Sequence, residues 1–398
     1  MATFTVTNTN NSGAGSLRQE ILDANALTGK NIINFSGLFN DGLAHTISLT
    51  SSGLSITDNL TIQGTNPNLL TVKDDSATRV FDIASGVTAA INGLTITNSY
   101  KGTGGGGAIS NEGVFTLNNS IITGNTAEAL GGGIFNNGTL TVNYSTLTNN
   151  TAESSDYNFF ANSEGGGVPP IYYGGGGIYN NGTLTVNYST ISNNKAGTNP
   201  DNSGGNLYFS GGGIDNSGGG IDGSYSLSPR LVVNNSIITG NTALYDGGGI
   251  ANDSILTLND SKMIGNSARV GGGIFNASNA VVVDEFDEGQ GVISTISHST
   301  ISGNQAHFGG GIYNDGALTV GNSTIKQNRA FGIEFITGQK ESGEGGGIYN
   351  NSTKYASATL DYSTVASNFD TPQEDSTKFI KLHNLVGKFI NIGSLVRV

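Results

Sequence analysis

Four aspartates, Asp215, Asp222, Asp246 and Asp253, surround two successive glycine blocks, Gly211-Gly212-Gly213 and Gly247-Gly248-Gly249. Carboxylates gathered from neighbouring repeats could do two kinds of chemistry. They could hold Ca²⁺ through oxygen ligands, with Asp215 and Asp246 as the first candidates. They could also form an acid/base pair for glycoside cleavage, or work beside a cation to take the proton α to a uronate carboxylate. Arg230 is the nearest cation in sequence. The plainer reading is solvated turn aspartates beside glycine. The same blocks carry aromatic residues. In the element GG-x-I-x-N, the position between Ile and Asn reads Ser110, Phe135, Tyr179, Asp215, Ala251, Phe275, Tyr313 and Tyr349. Flanking stretches add Tyr172, Tyr173 and Tyr208. Such rings could stack on sugars, or they could pack under loops as small satellite cores.

Bulk composition narrows the field. The chain has 398 residues, 62 of them Gly and only 6 Pro, and a net charge of −13. It holds no basic run, which argues against a nucleic-acid partner. Zero cysteines exclude a disulfide framework, a thiolate metal site and a cysteine nucleophile. No P-loop, G-x-S-x-G elbow, H-E-x-x-H helix or GGxGxDxUx calcium repeat occurs. The opening MATFTVTNTNNSGAGSL has no apolar core, so no cleavable signal peptide is expected. No apolar run is long enough to cross a membrane as a helix.

What must position the candidate residues is a repeat. Residues 175–196 (GGGIYNNGTLTVNYSTISNNKA) differ from residues 131–152 at four of twenty-two places. Aligned on Ser120, Ser145, Ser189, Ser236, Ser261, Ser299, Ser323 and Ser363, eight units share their columns. An apolar residue follows two places on, Asn five places on (Asn125 to Asn368), and Ala seven places on, until Asp370 breaks that column. The GG-x-I-x-N element places Ile109 to Ile348 and Asn111 to Asn350 just as regularly. The shortest Ser-to-Ser steps are 24 and 25 residues, and longer steps carry insertions at two corners only, both flanking GG-x-I-x-N. Apolar residues alternate with Thr, Ser and Asn at period two. Three short strands with Asn/Gly corners at this period describe one coil of a parallel β-helix. Inward Ile, Leu and Val supply burial, and stacked Asn side chains satisfy corner backbone groups. That ladder also explains Asn-x-Ser sequons such as Asn143-Tyr144-Ser145 without glycosylation.

The GGGI[FY]N and S-x-[IL]-x-x-N-x-A elements resemble the GG-A-[ILV] and F-x-x-N repeats of chlamydial polymorphic outer-membrane proteins and related autotransporter passengers. The opening Phe4 to Asn25 is similar to segments that begin large bacterial surface β-helix proteins. The resemblance implies a right-handed parallel β-helix of the pectate-lyase-like superfamily, outside the cell or on its surface. It does not imply an activity, because that superfamily hosts adhesins, lyases, hydrolases, epimerases and phage fibres. Residues 379–398 are too short for a membrane barrel.

The expectation is therefore an all-β chain: a single right-handed parallel β-helix of roughly a dozen three-strand coils. Residues 1–31 would form a cap with a short helix, 32–370 the β-helix, and 371–398 a cap or assembly segment. The expected role is a non-catalytic module for adhesion or assembly, outside or on the surface of a bacterial cell. Its partner would be a glycan, a protein, or copies of itself. The alternative is a polysaccharide lyase or glycoside hydrolase working in a groove on the GG-x-I-x-N face, at the four aspartates. Broken Thr pairs (Thr139/Thr141 against Ala317/Thr319) argue against an ice-binding ladder.

Overall fold

The computed structural model describes residues 1–101, 105–153, 171–197, 207–217, 229–277, 292–334, 340–351, 356–370, 381–382 and 384–397. Their strands stack in register as a single parallel β-helix with three long sheets of 13, 12 and 11 strands. One coil shows the pattern: Ile134–Asn136, Thr139–Asn143, Thr146–Thr148 and Thr151–Ala152. The last of these is a fourth, two-residue strand that period-two alternation is too short to reveal. It stacks into minor sheets of five and four strands.

Like lies on like. Thr139 to Asn143 pair residue for residue with Thr183 to Asn187, so the duplicated twenty-two residues are adjacent coils. Ile134, Ile178, Ile214, Ile250, Ile274, Ile312 and Ile348 form one continuous row inside the helix. These and the Leu/Val rows are fully buried, with coils about 4.8 Å apart.

Two Asn ladders run through the interior. From Asn111 to Asn350 each side-chain amide donates to the Oδ1 of the next, at 2.6–2.9 Å. From Asn125 to Asn384 the same contact recurs at 2.9–3.0 Å. From Ser145 onward each Ser of the alignment column accepts the backbone N–H of the Ser below, as Ser145 Oγ does from Ser120, and donates to a carbonyl two residues back; the first, Ser120, accepts from Leu94 N–H instead. Buried polar groups are thereby paired coil by coil, which removes the desolvation cost that would otherwise oppose so polar an interior.

At the N-terminal end, Thr3–Val6 is already the first strand of the largest sheet, paired with Asn31–Phe35. Between them the helix Leu17–Asn25 is capped by Ser16, whose Oγ accepts from Gln19 N–H, and it buries Leu17, Ile21 and Ala24. Arg18 holds the helix down through bonds to the Asn11, Ser52 and Gly53 carbonyls. At the other end Ile390–Ile392 and Leu395–Arg397 are the last described strands of the two largest sheets. No described helix is long and apolar enough to cross a membrane.

Candidate functional site

The glycine corner decides what happens to the acidic and aromatic candidates. Its first glycine adopts a left-handed conformation, as at Gly175 (φ +68°), where a Cβ would meet Ile178 O and Tyr179 N, each at 2.4 Å. The chain thus folds back across the outer side of its own strand. The residue before each corner forms a further ladder: Leu130, Gly174, Ser210, Asp246, Val270, Phe308 and Glu344. Members of this ladder lie against the outward residue of the next coil. Phe308 sits 5.6 Å from the Tyr349 ring, and a Cβ on Gly174 would fall 1.8 Å from Asp215 Oδ2.

Asp215 takes the outward place between Tyr179 and Ala251. It is 3 % exposed, and its Oδ1 has no hydrogen-bond partner. Burial raises its carboxyl well above the usual range, the Asp253 and Asp246 charges add to this, and a hydrogen bond from Ser217 opposes it. Asp246 is half-buried; burial and then Asp253 push it up to about 7, against the pull of Arg269. Asp253 follows Asn252, and its amide donates to Asn216 O at 3.1 Å. Asp253 is exposed, so solvent screens its carboxyl, although the mass of protein around it pushes the group up to about 6.

Three of the four sequence-predicted aspartates therefore act on one another electrostatically from two successive coils. Asp222 lies outside the described residues. Such a group shares protons: the innermost acid stays neutral while a more open neighbour can ionise. Arg230 begins the strand Arg230–Asn234 of a different sheet and forms no ion pair among the described residues. Among the described residues, no three acidic or histidine side chains gather so as to hold a metal ion.

Of the two readings of the aromatic column, the structure favours packing. Tyr179 is 1 % exposed, and Ser110, Asp215 and Ala251 beside it in the column are also buried, because the glycine corner folds over them. Phe135 stacks on Tyr179 at 5.5 Å, and Phe275, Tyr313 and Tyr349 stack at 5.5 and 5.2 Å. These rings spend their faces on one another and turn edges outward. Burial raises the Tyr313 and Tyr349 hydroxyls. The backbones of Tyr172, Tyr173 and Tyr208 lie in two parallel paired strands, Ile171–Gly174 and Leu207–Ser210, and their side chains fall outside the described residues.

Sequence reasoning passed over a different aromatic set. Tyr144, Tyr188 and Tyr362, the residues just before the Ser column, have φ of 45–49° and are 55–68 % exposed. Asn119, Asn235 and Asn322 hold the same place and conformation in other coils. Asn suits that backbone; a tyrosine there costs on the order of 1–2 kcal/mol. The signal was present in N-Y-S, where other units read N-N-S.

The class defined by this architecture is a β-solenoid of the parallel β-helix type. No family model matches the chain, and no curated protein matches it. Among solved structures, it is similar to the Azotobacter vinelandii mannuronan C-5 epimerase AlgE6 A-module, at 11 % identity, 99 % coverage of both chains and a TM-score of 0.45.

Proposed function

We propose that this chain is a non-catalytic β-solenoid module that works outside a bacterial cell, in adhesion or in an extracellular assembly. The observation that carries the reading is the exposed tyrosine corner. Tyr144, Tyr188 and Tyr362 are largely in solvent at positions where the backbone favours Asn, which supports a role for the rings in contacting a partner. The remaining repeat side chains are largely consumed by ladders. Asp215, the innermost acid, is closed off beneath Gly174.

A second reading has its own support. Half-buried Asp246, its carboxyl raised to about 7 by burial and by the nearby charge of the exposed Asp253, could serve with Asp253 as an acid/base pair on a polysaccharide. Incubation with acidic and neutral polysaccharides separates the two readings. No unsaturated product and no new reducing ends is the expected result; product that disappears in Asp253→Asn would overturn the non-catalytic reading. Sedimentation of the full chain against one lacking residues 379–398 tests self-assembly, and monomers in both would remove that half of the proposal.

A further inference from the structure

The corner between the 13- and 12-stranded sheets carries one left-handed residue per coil, running Gly93, Asn119, Tyr144, Tyr188, Asn235, Asp260, His298, Asn322 and Tyr362. Side-chain size steps up sharply along its first members. At Gly93 nothing projects, one coil on stands Asn119, and the next coil presents the full ring of Tyr144. Beyond Gly93 the segment Gly64–Asn68 leaves the coil. It departs so closely that a Cβ on Gly64 would lie 2.6 Å from Gly93 O. Together these surfaces enclose an open groove of about 560 Å³, within the size range of ligand sites.

The groove has a particular chemistry. Gln63, Asn66, Asn68, Asn92 and Asn119 supply amides, Thr65 and Thr146 hydroxyls, and Tyr144 a ring. None of its lining residues is Asp, Glu, Lys, Arg or His. Asn92 Nδ2 donates to Gln63 Oε1 at 3.1 Å, which orients the Gln63 amide and leaves its N–H groups for a ligand. Asn66 Oδ1 accepts from Asn68 N–H at 2.9 Å, leaving the Asn66 amide N–H groups. The side chains of Asn68 and Asn119 have no hydrogen-bond partner among the described residues. Tyr144 stacks one face on Tyr188 at 5.1 Å and 7°. Its other face turns along the axis toward Asn119 and the groove.

We propose that this groove binds a neutral oligosaccharide. A pyranose ring would lie on the free face of Tyr144, with its hydroxyls bonded to the Asn68, Asn119 and Gln63 amides. Amides can donate and accept at once, as a row of hydroxyls requires, and the ring covers the apolar face of a sugar. An acidic glycan or a nucleic acid would find no cation here and would meet the field of a chain with net charge −13. The inference names a ligand class for the binding-module reading above and rests on it.

Calorimetric titration with neutral hexasaccharides of α-glucan, β-glucan, xylan and mannan, alongside an oligogalacturonate, tests the proposal. At least one neutral hexasaccharide binds, with affinity unchanged by about 0.5 M NaCl. Tyr144→Asn weakens that binding by at least about tenfold. This variant retains the fold, since Asn already occupies the corner in other coils. Ile237→Thr, at an exposed strand position outside the groove whose partners in the adjoining coils are Thr190 and Lys262, leaves binding unchanged. Failure of every neutral hexasaccharide, undiminished binding by Tyr144→Asn, or preference for the oligogalacturonate would overturn the inference. The two proposals fail separately: such a failure with no polysaccharide cleavage removes the groove and leaves the non-catalytic reading. Cleavage abolished by Asp253→Asn does the reverse when neutral sugars still bind at Tyr144.

Discussion

Asp370 Oδ1 accepts a 2.7 Å hydrogen bond from the amide of Gly346, and its Oδ2 accepts one from the amide of Gly345 at 3.2 Å. In earlier coils these two corner amides donate to carbonyls of the next corner, as Gly309 does to Glu344 and Gly310 to Gly345. At the last described glycine corner the Asp370 carboxylate takes over both bonds. It stands where earlier coils carry Ala, and it is buried.

Restoring the repeat at this place should therefore harm the protein. Asp370→Ala leaves two buried amides without acceptors and should cost about 2–4 kcal/mol. Urea unfolding followed by far-UV circular dichroism measures it; an Ala variant as stable as the parent would contradict the capping role.

The Asn ladder gives a second prediction. Asn194 Oδ1 accepts from both the backbone and side-chain amides of Asn150, and its Nδ2 donates to Leu147 O and Asn241 Oδ1. Asn194→Ala orphans groups in three places at once and should destabilise by about 3–5 kcal/mol. Asn187→Ala, on the half-buried outer ladder, should cost far less.

The acidic group makes stability depend on pH. Asp215, Asp246 and Asp253 hold protons more tightly folded than unfolded; for Asp246 and Asp253 the native state binds more protons from about pH 4 up to about 7 and 6, and the raised Asp215 carboxyl acts in the same direction. Stability contributed by this group is then greatest at acid pH and falls as pH rises through that window. Asp215→Asn should flatten the slope and raise stability at pH 8 on the order of 1–3 kcal/mol, with little effect at pH 4. Thermal unfolding of both proteins across pH 4–8 checks the sign.

Gly174 and Asp215 form a matched pair. Gly174→Ala puts a methyl 1.8 Å from Asp215 Oδ2 and 2.7 Å from Ser210 O, and should cost about 1–3 kcal/mol. Asp215→Ala removes the side-chain half of that clash, so the double variant should recover part of the loss in a thermal melt. Strict additivity of the two single variants would show that they do not interact.

How far the sequence alone reaches is visible in these residues. Ile178, Asn180, Ser189 and Asn194 each repeat along the chain because each meets its own copy in the next coil. Column identity is therefore a direct image of contact, and coil, ladder and inward face could be read without coordinates. The short Thr151–Ala152 strand was missed, since two residues carry no period.

The site was less legible. That Asp215, Asp246 and Asp253 stand near one another follows from the repeat; that Asp215 is sealed under Gly174 does not. Sealing depends on how the glycine corner turns back over the strand, a matter of backbone dihedrals that the letters GGG permit without specifying. The same holds for the tyrosines. Tyr179, read as outward and either open to a sugar or packed under a loop, lies covered, while Tyr144 looked like the middle of a sequon and stands in solvent on a left-handed corner. A repeating sequence determines by itself which residues stack along the axis, because stacking joins equivalent positions. Which of them reach solvent was decided by corners and excursions between coils, where contacts join unlike positions and no periodicity records them.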